Sequence, residues 1–368
     1  NTTPGAQTPP RVPKHHPGRP PTTQDALQPP RVLPNHPRCS RSKLGVLKLS
    51  ASFRHSVKQS PSFPNSCLVD IIVRAGYFIC KQTNTNLITP INSPLMKSIE
   101  RYLERIGIKT VRKPSEDFLQ AIQLAHLTSV PYENLDLITG RAQPLSSDYL
   151  YDKIVVQRRG GYCFELNGAL AWLLRSLGFK FTELFARWHL GEPIEITQRR
   201  HRILKVDLGK RTLIADAGIG CPCPLSPLVF EENTPQKQLD GAIYRIVKSD
   251  TVGWMVQTYL DDQFKDYFSF SEDPQYPIDF AYPHFYCSHH PKSPFNSKTM
   301  VNLPTHDGGR KSVADAVDPE TNELTRQFKI TLSKDEKSEF FVRSDAQFIQ
   351  QLKIHFGIEL PEDFFATR

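Results

Sequence analysis

The sequence predicts an α+β fold: helices first, then a run of antiparallel strands, then a small mixed unit. Three observations carry this. After Cys163, the residues Leu166, Ala169, Leu170, Leu173, Leu174 and Leu177 recur at a helical period. Two β-rich runs flank Gly209-Lys210, a two-residue turn with glycine first, as a type II′ hairpin requires. From about residue 181 to 270 the pattern is that of short strands separated by turns.

The elements follow in order. Residues 97–106 read as a helix with Ile99, Tyr102, Leu103 and Ile106 on one face, capped by Ser93-Pro94 or by Ser98. Pro114-Ser115-Glu116-Asp117 opens a second helix, to about Leu127, with a cap and first-turn acids. The amphipathic Cys163 helix completes a helical region, 96–180, and Gly178 is its stop. Strands are predicted at 181–189, across the Gly209-Lys210 hairpin, and at 242–247, 254–259 and 267–270. Further on, 299–303 and 310–313 flank the hairpin signal His306-Asp307-Gly308-Gly309, and 324–332 and 339–343 are strands. Ser344 caps a last helix with Phe348, Ile349, Leu352 and Phe356 inward and Gly357 as its end.

Charge is divided unevenly along the 368 residues. Residues 1–95 hold 12 Lys and Arg against Asp25 and Asp70, a balance of +10, while the whole chain is +8. Residues 96–368 therefore carry −2, and the basic excess says nothing about partners of the body. Of 31 prolines, 15 fall in 1–95, which predicts an extended, disordered extension. The first methionine is Met96, so 1–95 is expected to be upstream sequence of a gene model. No aromatic and basic residues interleave as nucleic-acid binding requires, and no run of 18 apolar residues offers a membrane span. Seven cysteines with no signal peptide point to reduced thiols in the cytoplasm. Cys221-Pro222-Cys223 with His284, His289 and His290 lacks the spacing of a zinc site, so no metal is expected. There is no phosphate-cradling glycine loop.

The chemistry gathers around Cys163. It follows the basic turn Arg158-Arg159-Gly160-Gly161 and sits in the first turn of its helix. The helix dipole and a nearby arginine both favour the thiolate. The competing reading is a buried structural cysteine. Pairing across Gly209-Lys210 sets Ile203 opposite Asp216 and His201 opposite Gly218. His201 and Asp216 then share one face as diagonal neighbours, roughly 7–8 Å apart at the backbone. A slip of one residue would part them. Singly, His201 caps a strand and Asp216 opens a turn; with Cys163 they form a Cys-His-Asp triad.

These segments resemble the arylamine N-acetyltransferase family. Arg159 to Asn167 matches that family's Arg-Gly-Gly-x-Cys-x-Glu/Gln-x-Asn, and Pro131-Tyr132-Glu133-Asn134-Leu135 matches its Pro-Phe-Glu-Asn-Leu. Asp216-Ala217-Gly218-Ile219-Gly220 matches its Asp-x-Gly-Phe-Gly. The spacings, 38 residues from Cys163 to His201 and 15 more to Asp216, are similar, as is a later stretch from Asp279 to Phe295. The resemblance covers about 96–368. It implies a helical bundle (96–180), an antiparallel β-barrel (181–296) and a small α/β lid (297–368). The implied activity moves an acyl group from acyl-CoA to an arylamine or arylhydrazine through an acyl-cysteine, in two half-reactions.

The resemblance further implies that Cys163, His201 and Asp216 are catalytic and that Tyr132, Trp188, Ile219 and Gly220 line the substrate pocket. Glu133, Arg159 and Asn167 are expected to support them, the first two by pairing to hold the nucleophile's loop. Acetyl-CoA or another acyl-CoA is the expected co-substrate, with no bound cofactor, and the chain is expected to be monomeric. Ile219 stands where the family often has Phe, His284 where Asn is usual and His289 where Thr is usual. These departures bear on donor and acceptor preference. Two other readings stay open: a papain- or transglutaminase-like thiol hydrolase using the same triad, and a non-catalytic binding module on the same fold.

Overall fold

The computed structural model describes residues 71–74, 77–80, 97–192, 197–220, 222–306, 308–332 and 336–366. Most of 1–96, with the disorder expected there and the Ser93-Pro94 cap, lies outside them. Within that stretch two short strands are described, β1 (Ile71–Arg74) and β2 (Tyr77–Cys80), paired antiparallel. They fall in the one run of the extension that is mainly apolar, so regular backbone there was not foreseen from the proline content.

The helical region begins with α1 (Ile99–Arg105), where Ser98 Oγ accepts the Arg101 N–H at 3.1 Å. In α2 (Glu116–Ser129), Ser115 Oγ accepts the Phe118 N–H at 3.2 Å, and the helix runs two residues beyond the expected end. Next come β3 (Tyr132–Glu133), α3 (Leu135–Ile138), α4 (Ser147–Tyr151) and a π-helical turn (Asp152–Val156). None of these four was legible, because each is too short to show a period.

Helix α5 (Cys163–Ser176) ends in a Schellman turn at Gly178, which has φ +84°. There Phe179 N–H reaches Leu174 O at 3.0 Å and Gly178 N–H reaches Arg175 O at 3.1 Å. The expected amphipathic pattern holds in its second half, where Leu173, Leu174 and Leu177 are buried and Arg175 and Ser176 are exposed, but not in its first. Every residue from Cys163 to Ala171 is buried, because α4 packs on one side and strands of the following sheet on another.

The strands β4 (Lys180–Trp188), β5 (His201–Asp207), β6 (Thr212–Ala215), β7 (Leu228–Val229), β8 (Gln236–Lys237), β9 (Ile243–Ser249), β10 (Gly253–Leu260) and β11 (Gln263–Phe270) form one antiparallel sheet. Its order is β7-β6-β5-β4-β11-β10-β9-β8, and a bridge from Glu232 to Ile246 brings its ends together into a nearly closed barrel. Its interior holds Leu184, Ile203, Tyr244, Val256 and Phe268, continuous with the core of the helices. In the β5–β6 hairpin, Leu204 pairs with Ala215 and Asp207 with Thr212, the register expected from a Gly209-Lys210 turn. Gly209 has φ +80°.

The remaining elements are α6 (Ala281–His289), β12 (Met300–Pro304), β13 (Arg310–Val317), β14 (Leu324–Thr331), β15 (Lys337–Val342) and α7 (Asp345–Phe356). The strands form a second sheet of order β15-β14-β13-β12-β3, so β3 leaves the helical region to close its edge. Phe348, Leu352 and Phe356 of α7 pack on Phe328 and Val342. Helices, then an antiparallel sheet, then a smaller sheet with its helix give the α+β class that the sequence predicts.

Candidate active site

The turn before Cys163 is glycine by necessity. A Cβ on Gly160 would lie 2.0 Å from Pro131 O, because Tyr132 and Gly161 form a bridge and Glu133 N–H reaches Gly161 O at 2.9 Å. Beneath this turn lies a buried charge cluster. Arg159 Nε donates to Glu133 Oε1 at 3.0 Å and its Nη2 to Asp136 Oδ1 at 3.0 Å. Lys153 Nζ reaches Asp136 Oδ2 at 2.7 Å and Glu165 Oε1 at 2.8 Å. Glu165 Oε2 in turn accepts the Tyr162 N–H at 3.1 Å, which ties the first turn of α5 to the cluster. Glu133 and Arg159 therefore meet as expected; Asp136, Lys153 and Glu165 were not foreseen as their partners. Lys153 and Arg159 hold Asp136 down to about 2, against the burial that opposes ionisation. Glu165 is pushed above its ordinary value, by burial first.

His201 opens β5, and Asp216 follows the end of β6. The His201 Nε2–H donates to Asp216 Oδ2 at 2.6 Å, with both side chains buried. With Nε2 so engaged, Nδ1 is the basic nitrogen of the ring. Asp216 Oδ1 accepts from Asn167 Nδ2 and from Gly218 N–H, each at 2.8 Å. The Asp216 N–H goes to Gln123 Oε1 at 2.9 Å, and Asn167 Oδ1 accepts the Ala217 N–H at 2.9 Å. Asn167 sits one helical turn beyond Cys163, so α5 itself grips the segment that presents the carboxylate.

The Cys163 thiol is buried and donates to the main-chain oxygen of Arg200 at 3.4 Å. Burial pushes it well above its ordinary pKa, and the neighbouring Cys287 thiol and Asp216 carboxylate add to this. The Phe164 backbone N–H and the Arg200 guanidinium pull the other way but less strongly. Burial thus opposes the thiolate that the dipole and an arginine favour. The arginine that acts on it is not Arg159, which is bound to carboxylates, but Arg200.

Cys163 and His201 line one cavity of about 240 Å³ together with Tyr132, Trp188, Ile219 and Gly220. All four residues expected to line the pocket are thus present. Sequence reasoning missed Glu192, Arg200, Pro294, Phe295, Met300 and Asn302 on its wall. Asn134, quoted only as part of a motif, explains two of them. Its Nδ2 donates to Phe295 O at 2.8 Å and Lys298 O at 2.7 Å, and its Oδ1 accepts the Met300 N–H at 2.9 Å. Arg200 pairs with Glu192 and lies over the Phe295 ring, 5.7 Å from its centre. Among the described residues, no three His, Cys, Asp or Glu side chains are grouped as metal ligands, and no helix is long and apolar enough to cross a membrane.

The chain is similar to known proteins along most of the described region. The N-acetyltransferase family model matches residues 117–365. The arylamine N-acetyltransferase / N-hydroxyarylamine O-acetyltransferase of Salmonella typhimurium is 31% identical over 58% of this chain and 75% of its own. An arylamine N-acetyltransferase of Mycobacterium tuberculosis is 32% identical over 56% of this chain and 74% of its own. The solved Salmonella structure superposes with a TM-score of 0.65, covering 74% of this chain and 97% of that one at 26% identity. A Mycobacterium marinum arylamine N-acetyltransferase solved in complex with CoA gives 0.63 over 73% and 98%, also at 26% identity. The family model, the relatives and the superposed folds agree with the motifs around Cys163, His201 and Asp216, and the chain belongs to the arylamine N-acetyltransferase family.

Proposed function

We propose that this chain is an acyl-CoA-dependent arylamine N-acyltransferase that works through an acyl-Cys163 intermediate. The observation that carries the reading is the cavity shared by the Cys163 thiol and the His201 ring, with Asp216 on the far side of that ring. His201 Nδ1 takes the thiol proton as sulfur attacks the thioester carbonyl. The tetrahedral adduct collapses, the C–S bond to CoA breaks, and the imidazolium returns the proton to the departing CoA sulfur. An arylamine or hydrazine then attacks the acyl-cysteine, His201 takes a proton from nitrogen, and the Cys163 sulfur leaves. Asp216 fixes the imidazole tautomer throughout and stabilises the imidazolium. The raised pKa of the resting thiol fits this sequence, in which proton transfer to His201 accompanies attack.

Tyr132, Trp188, Ile219 and Phe295 give the cavity an apolar wall suited to an aromatic ring and hostile to water, which would otherwise hydrolyse the acyl-enzyme. Glu133, Arg159 and Asn167 act as positioning residues beneath the nucleophile and behind the carboxylate. We assign the helical, barrel and lid regions the boundaries 96–180, 181–296 and 297–368, and place the enzyme in the reducing cytoplasm as a monomer. A panel of acyl-CoA donors against arylamines and hydrazines tests the function. The expected result is transfer by the wild type and none by a folded Cys163→Ala variant; hydrolysis of the thioester with no amine acylation favours the thiol hydrolase instead.

A further inference from the structure

Behind the strand that carries Trp188 lies a second cavity. In the ladder β4-β11-β10, Trp188 pairs with Phe268 and Phe268 with Val256, while Arg187 pairs with Ser269 and Ser269 with Met255. Neighbours along a strand point to opposite faces, so Arg187 and Ser269 face away from the barrel interior that Phe268 and Val256 fill. On that outer side a cavity of about 190 Å³ is lined by Arg187, Arg199, Thr251, Gly253, Ser269 and Ser271, among others. It is distinct from the Cys163 cavity but adjoins it along the chain. Arg187 precedes Trp188, and Arg199 precedes Arg200, both on the wall of the first cavity.

The lining is cationic and hydroxylic. Neither Arg187 nor Arg199 makes an ion pair among the described residues. Arg187 donates through Nη1 to the main-chain oxygen of Thr197, which leaves the rest of its guanidinium available. Burial lowers the Arg187 pKa, and the Arg199 charge lowers it further, so the two cations feel each other. Two carboxylates of the neighbouring backbone, Asp273 and Asp266, are otherwise engaged. Asp273 accepts the Ser271 hydroxyl at 2.8 Å, and Asp266 accepts the Gln257 amide at 2.8 Å. His189 shares a hydrogen bond of 2.8 Å with the Ser269 hydroxyl. Two arginines on one cavity, with no ion-pair partner among the described residues, repel each other, and an anion between them removes that repulsion. The planar guanidinium fork matches a tetrahedral oxyanion with several acceptor oxygens.

We propose that this cavity is a phosphate-binding site, with Arg187 and Arg199 as its cationic walls and the Thr251 and Ser269 hydroxyls completing it. The phosphate comes either from coenzyme A or from free inorganic phosphate. The first source rests on the acyl transfer proposed above; the second does not. The site supplies the device for phosphate that the sequence, lacking a glycine loop, did not reveal.

Calorimetric titration of the full chain with inorganic phosphate, CoA and pantetheine decides the matter, using wild type, Arg187→Gln, Arg199→Gln and Arg187→Lys. Loss of a charge-assisted bidentate contact weakens binding about tenfold or more. If CoA is the source, both Gln variants bind CoA about tenfold more weakly while pantetheine binding is unchanged. Their KM for acetyl-CoA then rises with kcat held, and their KM for an acetyl-pantetheine thioester stays put. If free phosphate is the source, phosphate binding falls about tenfold and CoA binding does not move. In either case Arg187→Lys recovers part of the loss. Wild-type levels of both phosphate and CoA binding in Arg187→Gln and Arg199→Gln overturn the proposal, as does a wild type that binds neither. Should Arg187→Gln disturb the Thr197 contact and fail to fold, the exposed Arg199 carries the same test alone. A wild type that binds phosphate through these arginines yet transfers no acyl group refutes the proposed function and leaves this site standing.

Discussion

Asn167 Nδ2 stands 2.8 Å from Asp216 Oδ1, and Asn167 Oδ1 stands 2.9 Å from the Ala217 N–H. One amide on the helix that begins with Cys163 thereby fixes the carboxylate that fixes His201. Replacing Asn167 by Ala leaves a buried carboxylate oxygen and a buried N–H without these partners. The expected cost is about 3 kcal/mol of stability. Misalignment of the ring lowers turnover by about 10²-fold. Chemical denaturation and single-turnover acylation of the folded variant measure the two effects. An Asn167→Ala enzyme with wild-type single-turnover rate would show that Asp216 needs no such anchor.

Gly218 is glycine because of what surrounds it. A Cβ there would lie 2.6 Å from Asn167 Nδ2 and 2.9 Å from both Cα and O of Cys163. Two of these three atoms are backbone and cannot swing aside. Gly218→Ala is therefore expected to push the Asp216–Gly220 segment off α5, with a stability loss of about 1–3 kcal/mol and loss of turnover. A melt and an activity assay check it; an active Gly218→Ala of normal stability would mean that the segment has slack.

Arg200 bears on the nucleophile through charge. Its guanidinium lowers the Cys163 pKa against the larger effect of burial. Removing it in Arg200→Gln raises the thiol pKa further, so the pH midpoint of iodoacetamide inactivation moves upward. An unmoved or lower midpoint would assign Arg200 to its pairing with Glu192 alone.

The charge cluster gives a pH signature. In the folded protein Lys153 and Arg159 hold Asp136 down to about 2, below the ordinary value of an aspartate carboxyl. A depressed carboxylate contributes stability that is present above the unfolded pKa and is lost as pH falls through the folded one. The contribution, about 2 kcal/mol, should disappear between about pH 4 and pH 2. Glu165, raised by burial and in part by the Asp136 charge, acts with opposite sign at higher pH, so the difference between wild type and Asp136→Asn is read below about pH 4, where the loss of the Asp136 contribution falls. Stability curves for the two proteins that run parallel from pH 5 to pH 2 would contradict this assignment.

What was legible in the sequence was local. The Gly209-Lys210 turn fixed its own register, and the register set Asp216 beside His201. Ser115 and Ser344 each cap the helix they were read to cap, and Ser98, the alternative to Ser93-Pro94, caps the first. The illegible parts are long-range or too short. β3 joins β12 across more than 160 residues, and no pattern in two residues announces that. Burial of the first half of α5 on every side could not be seen from its own period, since what encloses it comes from both flanking regions. For the same reason the desolvation that opposes the thiolate was out of sight: dipole and neighbouring charge are readable along the chain, whereas desolvation depends on the whole fold. Within the cavity, the four residues implied by the resemblance were found, three of them (Tyr132, Ile219 and Gly220) inside quoted motifs. Arg200, Met300 and Asn302 were not, although Arg200 adjoins His201 in sequence.

The central claim is that Cys163 carries the acyl group between the two substrates. Mass spectrometry of the intact protein after brief incubation with acetyl-CoA, without amine, followed by peptide mapping, tests it most directly. The account predicts one added acetyl group per chain, located on the peptide containing Cys163, absent from Cys163→Ala, and discharged when an arylamine is added. An acetyl group on Cys287 or another residue, or acylation of amine by a protein that never carries the label, would contradict it.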